Sequence, residues 1–149
     1  MVLKEAWGLP DPTLSDAAMA LNGGIAYRGG PCGAITGAAL ALGVLAGSRF
    51  DDHREAKTAA RRLTAAAASD FEQEFGSIAC RDLIGMNIST DDGHHAFIAS
   101  GIWRDRCMRQ VEHAVRLLAP LADPDVFAAA VADPSALTAA RDTLDEDPT

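Results

Sequence analysis

Aromatic residues are scarce in this sequence: one Tyr, two Trp and five Phe make up 5% of the 149 residues. Residues that favour β-strands are sparse in general, whereas alanine is abundant. This composition predicts an all-α protein whose helices pack through small side chains. The length suggests a single domain with enough residues for a hydrophobic core.

Positive charge is also in short supply, because 13 Lys and Arg face 21 Asp and Glu, for a net charge of -8. Nucleic acid and anionic membranes are therefore poor partners. The apolar run 29–48 is long enough to be considered as a membrane span, but its glycines and alanines favour a buried helix of a soluble protein. The start, Met1 to Trp7, lacks the apolar core of a signal peptide, so we expect a cytoplasmic protein.

Only three cysteines are present, Cys32, Cys80 and Cys107, and no two of them have CxxC spacing. The number is too small for a disulfide scaffold, and the spacing excludes a zinc ribbon or a thioredoxin motif. In a reducing compartment such cysteines are structural, redox-active or metal-binding. They act together only if the fold brings them together.

The stretch 23–47 organises the rest of the chain. A glycine-rich loop leads into an uncharged helix predicted over 31–46, and a helix that is apolar all round is a buried one. We therefore expect a single-domain helical bundle around this Gly/Ala-rich central helix. Gly33, Gly37 and Ala41 form a small-residue stripe that predicts close backbone approach. The stripe also suits a contact between subunits, so we expect a homodimer.

Cys32 is predicted to fall in the first turn of this helix. Unpaired amides and the helix dipole there favour an anion, which lowers a cysteine pKa. The alternative is that Cys32 is a small packing residue. The loop and the helix start could also form an anion-friendly pocket. Its candidate ligand-binding residues are Gly23, Gly24, Tyr27, Arg28, Gly33 and Thr36.

Downstream, helical spacing predicts a long amphipathic helix that Asp51 or Asp52 can cap and Gly76 ends. A short helix with Cys80 follows. Residues 86–101 have the least regular pattern, so His94 and His95 are expected in a polar loop, with a ligand role as the alternative.

A further helix is predicted from Arg104 to Ala119, with Cys107 facing the core and His113 in solvent.

Three separate blocks resemble one known family. They are the CGAxxG block 32–37, the block 71–85 around Cys80, and Cys107 in front of Val111. In order and spacing these blocks resemble the redox-active proteins named for the pattern C_GCAxxG_C_C. The resemblance covers most of 2–121. It divides the chain into a family-like helical domain, 1–122, and a helical extension with an acidic tail, 123–149.

The resemblance implies a cysteine-based redox function. It also implies four characteristic cysteines, of which three map here. The missing one is expected just upstream of Val2, so either this chain lacks it or its native start lies further upstream. Some relatives occur in haem-binding electron-transfer proteins, but the CxxCH motif for covalent haem is absent from this sequence.

Several functions remain open at this point. In the first, the protein is an oxidoreductase or electron-transfer protein in which a Cys32 thiolate reacts and Cys80 or Cys107 resolves it. Its partner would be a redox protein or a small molecule.

In the second, the three cysteines, with His94 or His95, hold a metal, an iron–sulfur cluster or a non-covalent haem. In the third, the anion-friendly pocket serves a small-molecule-binding enzyme or module that needs no sulfur chemistry. In the last, all three cysteines are packing residues.

Overall fold

The computed structural model describes residues 2–9 and 12–145, which fold into one helical domain. No β-strand forms within these residues, so the all-α prediction is confirmed. Its helices are α1 (Val2–Ala6), α2 (Pro12–Ala17), α3 (Gly33–Arg49), α4 (His53–Phe75), α5 (Cys80–Ile84), α6 (Asp91–Ser100), α7 (Met108–Leu118), α8 (Pro124–Ala132) and α9 (Ala136–Asp145). A π-helical turn, Trp103–Cys107, precedes α7, and a 3-10 turn, Ala119–Ala122, follows it.

The central helix is α3, as predicted, but it begins two residues later and ends three residues later than the predicted 31–46. Pro31 forms an isolated antiparallel bridge with Ala79, so the chain is still extended there and Cys32 is the N-cap. The helix packs along α4 and against α1 and α7. Its buried residues are Ile35, Ala38, Ala41, Leu42, Leu45 and Ala46.

The long amphipathic helix is confirmed as α4. The Asp52 carboxylate accepts hydrogen bonds from the backbone amides of Arg54 and Glu55, at 2.8 and 2.9 Å, and so caps the first turn. Gly76 ends the helix with φ 81°. One face is buried against α3, and its residues are Ala56, Ala59, Leu63, Ala67 and Phe71.

The main core also includes the last two helices. Phe127 and Ala130 of α8 and Leu137 of α9 are buried in the same cluster as Leu42 and Leu63. The segment after residue 122 therefore packs onto the core of the domain. Of the predicted acidic tail, residues 145–149, Asp145 is the last residue of α9, and 146–149 lie outside the described residues.

His113 is not solvated, contrary to the prediction. Its Nε2 lies 2.6 Å from Oδ2 of Asp70, and the ring packs edge-on against Phe75. Both oxygens of Asp70 also accept from Nη1 of Arg141, at 3.2 Å. Asp70 thus joins α4, α7 and α9 through one half-buried carboxylate.

Close backbone approach occurs at only part of the small-residue stripe. A Cβ at Gly33 would lie 3.3 Å from the carbonyl oxygen of Leu21, but a Cβ at Gly37 would meet no atom within 4 Å. The predicted close approach is therefore wrong at Gly37, and the homodimer stays a prediction. None of the helices in the described part of the chain is both long and apolar enough to cross a bilayer.

Gly24 in the loop and Gly43 in α3 should respond oppositely to alanine. Gly24 has φ 71°, and a Cβ there would collide with the backbone of Gly30. Gly24→Ala should lower the free energy of unfolding by about 2 kcal/mol or more. Gly43→Ala is the control, since a Cβ at Gly43 meets nothing within 4 Å, and it should raise stability by up to about 1 kcal/mol. Urea denaturation measures the free energy of unfolding of both variants. Equal changes in Gly24→Ala and Gly43→Ala would contradict the packing described.

Candidate functional site

The loop before α3 contains a left-handed turn. Five consecutive residues, Gly23 to Tyr27, have positive φ, between 48° and 71°. Ile25, Ala26 and Tyr27 are not glycine, and at each of them this conformation costs about 1–2 kcal/mol of conformational free energy. The turn is closed by hydrogen bonds from the Gly29 amide to the Gly23 carbonyl and from the Gly30 amide to the Gly24 carbonyl, at 3.1 and 3.0 Å. This reversal of the chain brings the residues that follow the turn next to the start of α5.

Backbone hydrogen bonds then join Cys32 to the region of Cys80. The Cys32 amide donates to the Ile78 carbonyl, and the Cys80 amide donates to the Gly30 carbonyl, both at 2.7 Å. Cys32 and Cys80 each lie one residue beyond the Pro31–Ala79 bridge, so they are diagonal neighbours across it, and both side chains line the same cavity. Such neighbours lie about 7–8 Å apart, slightly beyond the usual span of a disulfide.

Cys107 comes to the same place from a third segment. It is the last residue of the π-helical turn and packs with the small cluster around Cys80, Ile84 and Ile88. π-Helical turns are rare and occur often at functional sites. All three cysteines are free thiols.

The three thiols line one cavity of about 510 Å³. The cavity reaches the surface, because Asn22, Tyr27 and Ile98 on its wall are exposed. The lining residues are Ala18, Leu21, Asn22, Gly23, Tyr27, Cys32, Gly33, Ala34, Gly37, Cys80, Ile88, His94, Phe97, Ile98, Trp103, Cys107, Gln110 and Val111.

Gln110 is the site residue that the sequence analysis missed. Gln110 is 4% exposed, and its Oε1 accepts a hydrogen bond from the Cys32 thiol with an Sγ···Oε1 distance of 3.7 Å. A signal was present, because Gln110 falls three residues after Cys107 and four before the buried Ala114, on the apolar face of α7. A polar residue on such a face needs a partner.

Burial sets the protonation of the thiols. Desolvation is the largest influence on each and raises the pKa of Cys32, Cys80 and Cys107, that of Cys80 to about 11. The amides of Ala34 and Ile35 lower the pKa of Cys32, as predicted for a helix start, but burial outweighs them. The prediction of a lowered pKa at Cys32 is therefore wrong. Charge on Cys32 raises the pKa of both other thiols, because the three groups lie close together.

The predicted ligand-binding residues divide into two groups. Gly23, Tyr27 and Gly33 line the cavity. The other three do not: Gly24 packs against Gly30, Arg28 is exposed, and the Thr36 hydroxyl donates to the Cys32 carbonyl at 3.3 Å. None of the described residues that line the cavity is Lys, Arg, Asp or Glu. The expected anion-friendly pocket therefore lacks Arg28, and the binding of an anion there stays a prediction.

The two histidines lie on a helix, so the predicted polar loop is wrong. Thr90 caps α6 by accepting from the Gly93 amide, and Gly101 ends it with φ 73°. His94 lines the cavity and packs against Tyr27, with ring centroids 4.7 Å apart and the rings tilted by 52°, whereas His95 is exposed and outside the lining.

Within residues 2–9 and 12–145, no three His, Cys, Asp or Glu side chains are grouped so as to hold a metal ion. The alternative use of Cys32, Cys80, Cys107, His94 and His95 for a metal, cluster or haem stays a prediction. The expected position of the first family cysteine lies outside the described residues.

The family model described as "Putative redox-active protein (C_GCAxxG_C_C)" matches residues 1–121. The chain belongs to this family. No curated protein and no solved structure matches it. Membership in a redox-active family supports a general redox role, and α8 and α9 lie beyond the matched residues.

Alkylation in the folded protein should show the raised pKa of Cys80. Only the thiolate is alkylated, so the rate at Cys80 should climb about tenfold per pH unit and not level off until about pH 11. Peptide mapping after a timed pulse of iodoacetamide measures it. The same protein in urea is the control and should level off near pH 9. A native plateau at or below pH 9 would contradict burial as the dominant influence.

Proposed function

We propose that this protein is a thiol–disulfide redox protein in which Cys32 and Cys80 form the reacting pair. The observation that carries the proposal is that thiols from three distant segments line a single cavity. If the three cysteines were only packing residues, they would not need to line the same cavity, nor would that cavity need to reach the surface. The chain's membership in a redox-active family supports the same function.

Cys32 and Cys80 are the favoured pair because two backbone hydrogen bonds join their segments directly beside both cysteines, and both thiols line the cavity. In the oxidation, both S–H bonds break and one S–S bond forms. Two electrons and two protons pass to an acceptor. Because diagonal neighbours start about 7–8 Å apart, bond formation requires the loop and the start of α5 to approach each other by a small backbone movement.

The low polarity of the site suits a two-proton, two-electron exchange. Thiolates are disfavoured there, because burial and the neighbouring sulfurs raise the pKa of Cys80 and Cys107. The reduced state is therefore the neutral dithiol, and its reduction potential should fall as pH rises. The side-chain oxygen of Gln110 accepts a hydrogen bond from the Cys32 thiol and so orients that thiol. Cys107 is a third thiol at the same cavity that the disulfide leaves free.

A thiol count over a graded dithiothreitol redox buffer tests this function. Fully reduced protein, denatured in acid and alkylated, should take three adducts by intact mass. Oxidised protein should take one, and peptide mapping should place it on Cys107. Cys80→Ser should abolish the disulfide, whereas the matched variant Cys107→Ser should keep it.

Two results would overturn the assignment. Three adducts at every buffer ratio would remove the disulfide chemistry altogether. A disulfide that survives in Cys80→Ser at the wild-type potential would show that Cys80 is not in the pair.

A further inference from the structure

The cavity wall carries aromatic rings from three separate elements. Tyr27 comes from the left-handed turn, His94 and Phe97 from α6, and Trp103 from the π-helical turn. Aromatic side chains stack favourably on flat, conjugated ligands. The volume of about 510 Å³ lies within the range of small-molecule pockets. This wall is suited to a planar ligand placed next to the thiols.

The same wall, as far as residues 2–9 and 12–145 form it, has no side chain of fixed charge that could neutralise a charged ligand. None of its described residues is Lys, Arg, Asp or Glu, and the whole chain carries a net charge of -8. Arg106 and Arg109 line a neighbouring groove instead, together with Glu74 and Asp105. Burying an unpaired charge is costly, and the negative field opposes anions. Phosphate-bearing cofactors and glutathione disulfide are therefore disfavoured, and neutral ligands are favoured.

A polar group is available for a neutral ligand. The Tyr27 hydroxyl accepts a hydrogen bond from Nδ2 of Asn22 at 3.0 Å, which leaves the phenolic proton to donate. A ligand carbonyl within the cavity could accept this proton. The flat shape, the neutral charge and a carbonyl acceptor together describe one class of two-electron oxidant.

We propose that the cavity binds a quinone and that the quinone oxidises the Cys32 and Cys80 dithiol. This proposal rests on the function proposed above. The two thiols lose two protons and two electrons and form one S–S bond. The quinone gains both and becomes a hydroquinone, so that the exchange is balanced without a further reactant.

Binding is tested first without chemistry, in Cys32→Ser protein, which cannot form the pair. The probe is tetramethyl-1,4-benzoquinone, whose substituted ring carbons hinder thiol addition. The matched probe is the same ring with a propionate in place of one methyl group. Calorimetry should show saturable binding of the neutral quinone and binding at least about tenfold weaker for the anionic one.

A second pair of variants places the ligand in this cavity. Gly37 lines the cavity and a Cβ there meets nothing within 4 Å, so Gly37→Leu in the Cys32→Ser background should fill space without disturbing the helix. It should weaken binding of the neutral quinone by about tenfold or more. Gly43→Leu is the matched control on the same helix. Gly43 is also open but lies outside this cavity, so binding should be unchanged.

With wild-type protein, the neutral quinone should convert the Cys32 and Cys80 thiols to the disulfide and yield one hydroquinone per disulfide. Equal binding of both probes would overturn the charge argument, and equal effects of the two leucine variants would overturn the location. If the quinone does not bind to Cys32→Ser protein while wild-type protein still forms the disulfide in the dithiothreitol redox buffer, the quinone proposal is refuted and the redox function stands. Failure of both reactions would refute the redox function itself.

Discussion

The site depends on one short backbone ladder. The hydrogen bonds from Cys32 to Ile78 and from Cys80 to Gly30 are what join two segments almost fifty residues apart. The left-handed turn before Cys32 reverses the chain between α2 and α3 and leads directly into this ladder. Three residues other than glycine accept an unfavourable φ there, and the ladder helps offset that cost. Strain of this kind is found most often beside functional sites.

The ladder brings the thiols together, and burial then determines their state. A cysteine at a helix start is expected to have a lowered pKa. Cys32, however, is only 8% exposed, and its thiol donates a hydrogen bond to the buried Gln110. Desolvation outweighs the helix amides, so the pKa rises. The result is a neutral sulfur-rich cavity rather than a permanently activated thiolate. At neutral pH the thiols of such a site are protonated, so forming a disulfide from two of them releases two protons with the two electrons.

Features fixed by local pattern could be predicted, and those fixed by distant contacts could not. The stripe from Ala56 to Phe71 recurs at helical spacing, and Asp52 and Gly76 mark its ends, so α4 was predictable. The helix α6 was missed because its first residues resemble a turn. The raised pKa of Cys32 and the convergence of the cysteines follow from contacts across the fold. The family resemblance indicated the cysteines but not their arrangement.

The central claim is that the three thiols share one accessible cavity, and phenylarsine oxide tests it most directly. This neutral, aromatic reagent binds stably only where two thiols can reach the same arsenic atom. Folded, reduced protein should retain one arsenic after desalting and keep one titratable thiol, and variants with a single cysteine should retain none. Retention of no arsenic by the wild-type protein, with all three thiols still free, would contradict the account.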